Sequence, residues 1–300
     1  MTLFAAALLF VSVFAAQAAT VKRSKSDRDI TAIGRRDIIH GNSRKFFTSA
    51  ETEKERQLGA QHFVAVEHSA KLITDREITN YLSELAEKIG RNSDAHMPIS
   101  VVIIDNNTVS ACTSPGGYQY ITRGLLFHAE SEGELASVLA HGVAQTALHF
   151  PTRQQWRRWR QNLMTFDTST ESTIPVVSCT SQSSLLALTS GVLPTDEFDA
   201  DYFAVQYLYK SGYDPECYLR FVQRTWPVGS GPKNVAFSWF PPTLERLKTL
   251  RREIADILPP QTQSIVSTSA FEDFQLHLRN LPPLPPEPDR PVLRRPTSEQ

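Results

Sequence analysis

Residues 131–150 read SEGELASVLAHGVAQTALHF. Ser131 followed three positions later by Glu134 is a capping box, in which a hydroxyl and a carboxylate satisfy the unpaired N–H groups of a helix start. Beyond it Leu135, Ala136, Val138, Leu139, Ala140, Val143 and Ala144 leave almost no polar face. The pattern predicts a core helix from about Glu132 to His149, ended by Pro151. Inside it, His141 and Gln145 stand four residues apart.

That spacing has a chemical meaning. Residues four apart on an α-helix lie about 40° from each other, close enough for two imidazoles to hold one zinc ion. Metalloprotease helices of the form H-E-x-x-H exploit this, with the Glu beside the first His polarising the zinc-bound water. Here the stretch is His141-Gly142-Val143-Ala144-Gln145. Taken alone it is a core helix with one satisfied histidine. His149, eight positions on, is turned by about 80° and displaced by roughly 12 Å, so it cannot share a metal with His141.

Outward from this helix the elements are mixed. Helices are expected over Ser49–His68 and Asp75–Arg91, the latter with an apolar stripe at Ile78, Leu82, Leu85, Ala86 and Ile89. A strand is expected over Ile99–Ile104, then a hairpin of Val109–Thr113 and Tyr118–Thr122 about Ser114-Pro115-Gly116-Gly117. Residues 152–182, rich in Arg, Trp and Ser, read as a mobile excursion with a short amphipathic piece at Trp156–Met164. Further helices are expected at Ser184–Ser190, Glu197–Ser211, Asp214–Arg224 and Thr243–Ile257.

The chain has 300 residues, 41% hydrophobic and 21% charged, with a formal net charge of -1. Such a chain buries a core and carries no global field to attract nucleic acid or anionic membrane. The divisions expected are a signal peptide at 1–19, a polar arm at 20–48 lying on the domain, one folded domain at 49–280, and a Pro-rich disordered tail at 281–300. Signal-peptidase cleavage is expected near Ala18 or Ala19. The alternative is an uncleaved anchor over residues 3–19, the one route to a membrane. Three cysteines, Cys112, Cys179 and Cys217, allow one disulfide at most.

Several stretches, taken in order, resemble the envelope zinc metallopeptidases of HtpX, BepA and the Ste-twenty-four-type CAAX prenyl endopeptidases, a gluzincin-like family. They are Glu53 to Gly59, Asn92-Ser93-Asp94-Ala95, Ser114-Pro115-Gly116-Gly117, Thr122-Arg123-Gly124-Leu125-Leu126, Glu134-Leu135-Ala136 and Leu139-Ala140-His141. Downstream follow Glu197-Phe198-Asp199-Ala200-Asp201, Ser211-Gly212-Tyr213-Asp214-Pro215, and Pro241-Pro242-Thr243 with Arg246. The resemblance implies an α+β, mainly helical fold, with a small antiparallel sheet or hairpin over the metal-site helix. It implies zinc as the cofactor, His141 and Glu197 as metal ligands, and Asp201 as the residue supporting them.

Three positions depart from that pattern. Gly142 stands where the general base belongs, Gln145 where the second His ligand belongs, and Phe240 where the family places a cleft histidine. A lost acid or base costs about 10²- to 10⁴-fold in rate, and two protein ligands fall short of the three that zinc hydrolases keep. The expectation is a catalytically impaired pseudopeptidase with weak or absent zinc, binding extended polypeptide through the hairpin 109–122 in the bacterial envelope. One alternative is an active endopeptidase with a rebuilt centre, Cys112 replacing the lost ligand. The other is a structural relic with a plugged cleft, Phe240 being the expected plug.

Overall fold

The computed structural model describes residues 24–39, 49–165, 194–225 and 244–283. In chain order the elements are α1 (Lys25–Arg28), α2 (Ser49–Ser69), α3 (Arg76–Arg91), β1 (Ser100–Ile104), β2 (Ala111–Ser114), β3 (Tyr118–Thr122), α4 (Arg123–His128) and α5 (Glu132–Ala147). Then come α6 (Phe150–Thr165), α7 (Pro194–Lys210), α8 (Glu216–Thr225), α9 (Leu244–Ile257) and α10 (Ser269–Arg279). The fold is α+β and mainly helical with one small sheet. The leader, the helix expected at Ser184–Ser190, Phe240 and the tail beyond residue 283 lie outside the described residues.

The sheet has the order β1-β3-β2. β2 and β3 form the expected antiparallel hairpin, and β1 adds to β3 in parallel with Ser100 opposite Tyr118. Alternation along β3 divides the side chains between two layers. Tyr118 and Tyr120 pack with Cys112, Phe63 and Val66 on the α2 side, whereas Ile121 joins the main core around α3 and α5. α2 approaches so closely that a Cβ on Gly59 would lie 2.1 Å from the carbonyl oxygen of Pro115. His62, three residues on, closes the contact with Nδ1 2.7 Å from Ser114 Oγ.

α5 is buried along its whole length, with α3, α7 and α8 packed around it. Ser131 caps it by accepting from Glu134 N at 3.2 Å. The Glu134 carboxylate reaches one residue beyond the cap, accepting from Glu130 N at 2.9 Å. The helix stops at Ala147, short of the expected His149, because His149 takes a left-handed φ of 50°. Pro151 then falls in the first turn of α6, where its missing N–H has no intrahelical partner to lose. Residues 152–165 are thus one helix, where an excursion with only a short amphipathic piece at Trp156–Met164 was expected. Arg153 and Arg157 both pair with Asp196 at the start of α7, the former at 3.4 Å; that remote partner is invisible to local periodicity.

The amino-terminal arm also differs from its sequence reading. Ile38 is a core residue, and Arg36 and Asp94 meet at 2.6 Å with no side-chain exposure at all. Asp94 further accepts from Gly34 N at 2.7 Å and Tyr207 OH at 3.0 Å, while Arg36 donates to Gln206 Oε1 at 2.7 Å. Arm, α3 and α7 therefore share one ion pair whose hydrogen bonds are satisfied on both sides. Removing one partner of such a pair typically costs about 3–5 kcal/mol. Urea denaturation of Asp94→Ala should show a loss of that order, with Tyr207→Phe losing about 1 kcal/mol.

Candidate functional site

The candidate site is assembled where α5 meets α7. His141 and Gln145 lie one turn apart on α5, and Glu197 and Asp201 lie one turn apart on α7, so each pair shares a helix face. His141 Nε2 stands 3.3 Å from Glu197 Oε2, and Nδ1 stands 3.2 Å from Asp201 Oδ1. Gln145 Nε2 donates to Glu197 Oε1 at 3.4 Å. All four side chains are buried.

Two residues whose roles the sequence did not disclose complete the cluster. Tyr218 of α8 donates to Asp201 Oδ1 at 2.5 Å and lies 2.8 Å from His141 Nδ1. Its one proton goes to the carboxylate, so the phenol oxygen accepts from His141 Nδ1–H. Arg246 of α9 clamps Asp201 through Nε at 2.6 Å and a terminal nitrogen at 2.9 Å, the bidentate pairing a guanidinium suits. A further bond at 3.4 Å runs from Arg246 to Glu197 Oε2. Nothing in the sequence marks Tyr218 among the aromatic residues of an amphipathic helix.

These contacts fix the tautomer. With Nδ1 donating, Nε2 carries either a lone pair or an added proton, and it has no hydrogen-bond partner despite being buried. It faces Glu197 out of line, at a separation close to the edge between two donors on tetrahedral zinc with bonds of about 2.0–2.2 Å. His141 and Glu197 thus fit as a pair of zinc donors. Gln145 does not make a third, because the carboxylate it contacts can only accept, which turns its NH₂ inward. Among the described residues no cluster of three or more His, Cys, Asp or Glu side chains could hold a metal.

The structure does not bring Cys112 to His141 and Glu197. Cys112 is held in a disulfide, so it offers no thiolate. Its side chain also belongs to the α2 face of the sheet, opposite the face that meets α5. Cys217, free and buried, is pushed up to about 11 by burial and keeps its proton at neutral pH.

What does lie against the motif is Gln119, the inward residue of β3 between Tyr118 and Tyr120. Its Nε2 donates to Leu139 O at 3.3 Å, and a Cβ on Gly142 would lie 2.6 Å from its Cδ. A glutamine on the core-facing side of an alternating strand was the one available signal.

Electrostatically the cluster is balanced by protonation. Burial alone would push the His141 imidazole down, but the carboxylates of Asp201 and Glu197 outweigh it and raise it to about 9. Burial alone would raise both carboxyls; Arg246 and His141 bring Asp201 well below the usual carboxylate range and lower Glu197 as well. With His141 protonated, two cations face two anions. Because the folded-state value exceeds the ordinary 6.5, this stabilisation is complete below pH 6.5 and lost as pH rises through about 9. In metal-free buffer the thermal midpoint should fall across that window, by up to about 3 kcal/mol of stability. The imidazole resonance should titrate with the same midpoint; a flat profile would mean that His141 is neutral throughout.

Comparison with known proteins places this geometry in a family. The profile of Peptidase family M48 matches residues 73–254, more than half of the chain. The beta-barrel assembly-enhancing protease of Escherichia coli strain K12 is 25% identical over 182 residues, covering 57% of this chain and 37% of that protein. The same-named protein of Yersinia pestis is 25% identical over 186 residues, again 57% and 37%. A putative beta-barrel assembly-enhancing protease of Vibrio cholerae is 24% identical over 183 residues, 57% and 38%. The chain therefore spans less than two fifths of the length of these relatives. Its matched region contains the sheet, the α5 and α7 motifs and the residues that brace them, and the chain belongs to peptidase family M48, a family of zinc metallopeptidases.

Proposed function

We propose that the protein is an exported pseudopeptidase of the bacterial envelope, which binds extended polypeptide along its sheet edge without cleaving it. The observation that carries this is the occupancy of the two lost positions. Gln145 turns a donor toward Glu197 where a ligand belongs, and the base position is a glycine covered by Gln119. Zinc held by two protein donors binds weakly or not at all, and without it no water is activated. The apolar leader and the disulfide at Cys112 support export to an oxidising compartment. No helix among the described residues is long and apolar enough to cross a membrane.

The edge itself favours strand addition. β1 is covered on its outer side, where Ile73 N donates to Ile103 O and Asp105 N to Lys71 O. β2 is the other edge. The bond from Thr122 N to Ser110 O marks that pair as hydrogen-bonded, so by antiparallel alternation Cys112 also faces β3. Ala111 and Thr113 then turn their backbone N–H and C=O groups outward, where an extended chain can pair.

The test takes the mature chain from Thr20 onward, dialysed against a weak chelator, and measures its zinc content, casein cleavage and affinity for unfolded casein. The expectation is little zinc, no cleavage, and measurable binding that Thr113→Pro weakens by roughly 2- to 10-fold, one backbone hydrogen bond's worth. About one zinc per chain with casein cleavage would overturn the proposal. So would binding indifferent to Thr113→Pro in a chain that remains folded.

A further inference from the structure

The general-base position is filled as well as empty of its acid. Gly142 lies on α5 directly beneath β3, and the whole carboxamide of Gln119 rests on it. A Cβ built at Gly142 would meet Gln119 Cδ at 2.6 Å, Oε1 at 2.7 Å and Nε2 at 2.8 Å. Ordinary carbon contacts begin near 3.4 Å, so no residue but glycine fits with Gln119 as it stands. Swinging the carboxamide aside means breaking its one hydrogen bond, at 3.3 Å, inside a packed interior. Gln119 is 3% exposed, and its NH₂ is held by the carbonyl of Leu139, which can only accept and so fixes which end of the amide points there.

We infer that Gln119 is the plug of this cleft, and that Gln119 and Gly142 form one interlocked pair, so that neither position can be restored alone. This rests on the pseudopeptidase reading and deepens it. A glutamate at 142 would leave the helix along the same Cα–Cβ direction and would need the volume that the carboxamide now holds. Tight interiors respond to such demands by shifting backbone or forcing strained rotamers, and β3, paired on both sides with β1 and β2, has little room to move. The plug anticipated at Phe240 lies outside the described residues; this one is supplied by the central strand.

The inference makes a sign-reversal prediction. In an interior helical position Gly→Ala ordinarily stabilises, which in a chain of this size raises the thermal midpoint by roughly 2–4 °C. Here Gly142→Ala should lower it in the unaltered background and raise it in a Gln119→Ala background, with Gln119→Val as a second background in case the smaller residue loosens the strand. Equal shifts in all three backgrounds would overturn the interlock.

The second arm restores chemistry. Gly142→Glu with Gln145→His should remain without casein cleavage, while the triple variant that adds Gln119→Ala should take up zinc and cleave at least tenfold faster than the double. A double variant as active as the triple would overturn the plug. Failure of the plug and of the pseudopeptidase reading are separable: zinc and cleavage in the unaltered chain overturn the latter and leave the thermal cycle standing, whereas an additive cycle overturns only the former.

Discussion

The buried carboxylate of Asp201 binds the architecture together. It sits on α7, is clamped by the Arg246 guanidinium from α9, receives the Tyr218 hydroxyl from α8, and faces His141 on α5. Four helices therefore meet on one anion, in a medium where an unpaired charge is costly. Such a cluster stabilises only when each charge has its partners, and deleting one member exposes the others. Asp201 links His141, Tyr218 and Arg246, so three side chains beside the motif are positioned through it.

This explains which parts of the site persist. His141, Glu197, Asp201 and Arg246 are tied to one another, so losing any of them leaves a buried charge without its counterpart. The second ligand position and the base position are differently placed. Gln145 makes one long bond to Glu197, and Gly142 contributes no side chain. Neither position belongs to the ion-pair network, so a change at either leaves the electrostatic frame whole, although Gly142 is packed tightly against Gln119. A protonated His141 places a second positive charge beside Glu197 and Asp201, next to that of Arg246.

Much of this was legible from sequence because it is local. The stripe of α3, the cap of α5 and the Gly-Gly turn between β2 and β3 each obey rules that span a few residues. The pair His141 and Glu197 came from resemblance, and the structure brings the two together. Contacts made across the chain were not legible. Arg36 read as part of a polar arm because its partner is Asp94; only a short piece of α6 was read within an excursion because Asp196 holds it; Tyr218 drew no reading. α4, only six residues long, and α10 went unread. Cys112, offered as an alternative ligand, lies apart for a geometric reason: strand alternation, applied from Gln119 across the hairpin register, puts it on the far face of the sheet.

The same alternation separates the two properties that a peptidase cleft combines. Among the side chains of β3 that point at α5, Gln119 lies on the glycine at the general-base position. The outward backbone groups of β2 decide whether an extended chain can be held, and these lie in the plane of the sheet, perpendicular to the side chains. Filling one does not obstruct the other. Under the reading proposed above, hydrolysis is lost at the interface between the layers and an edge for extended polypeptide is kept, because the two use orthogonal directions of the same three strands.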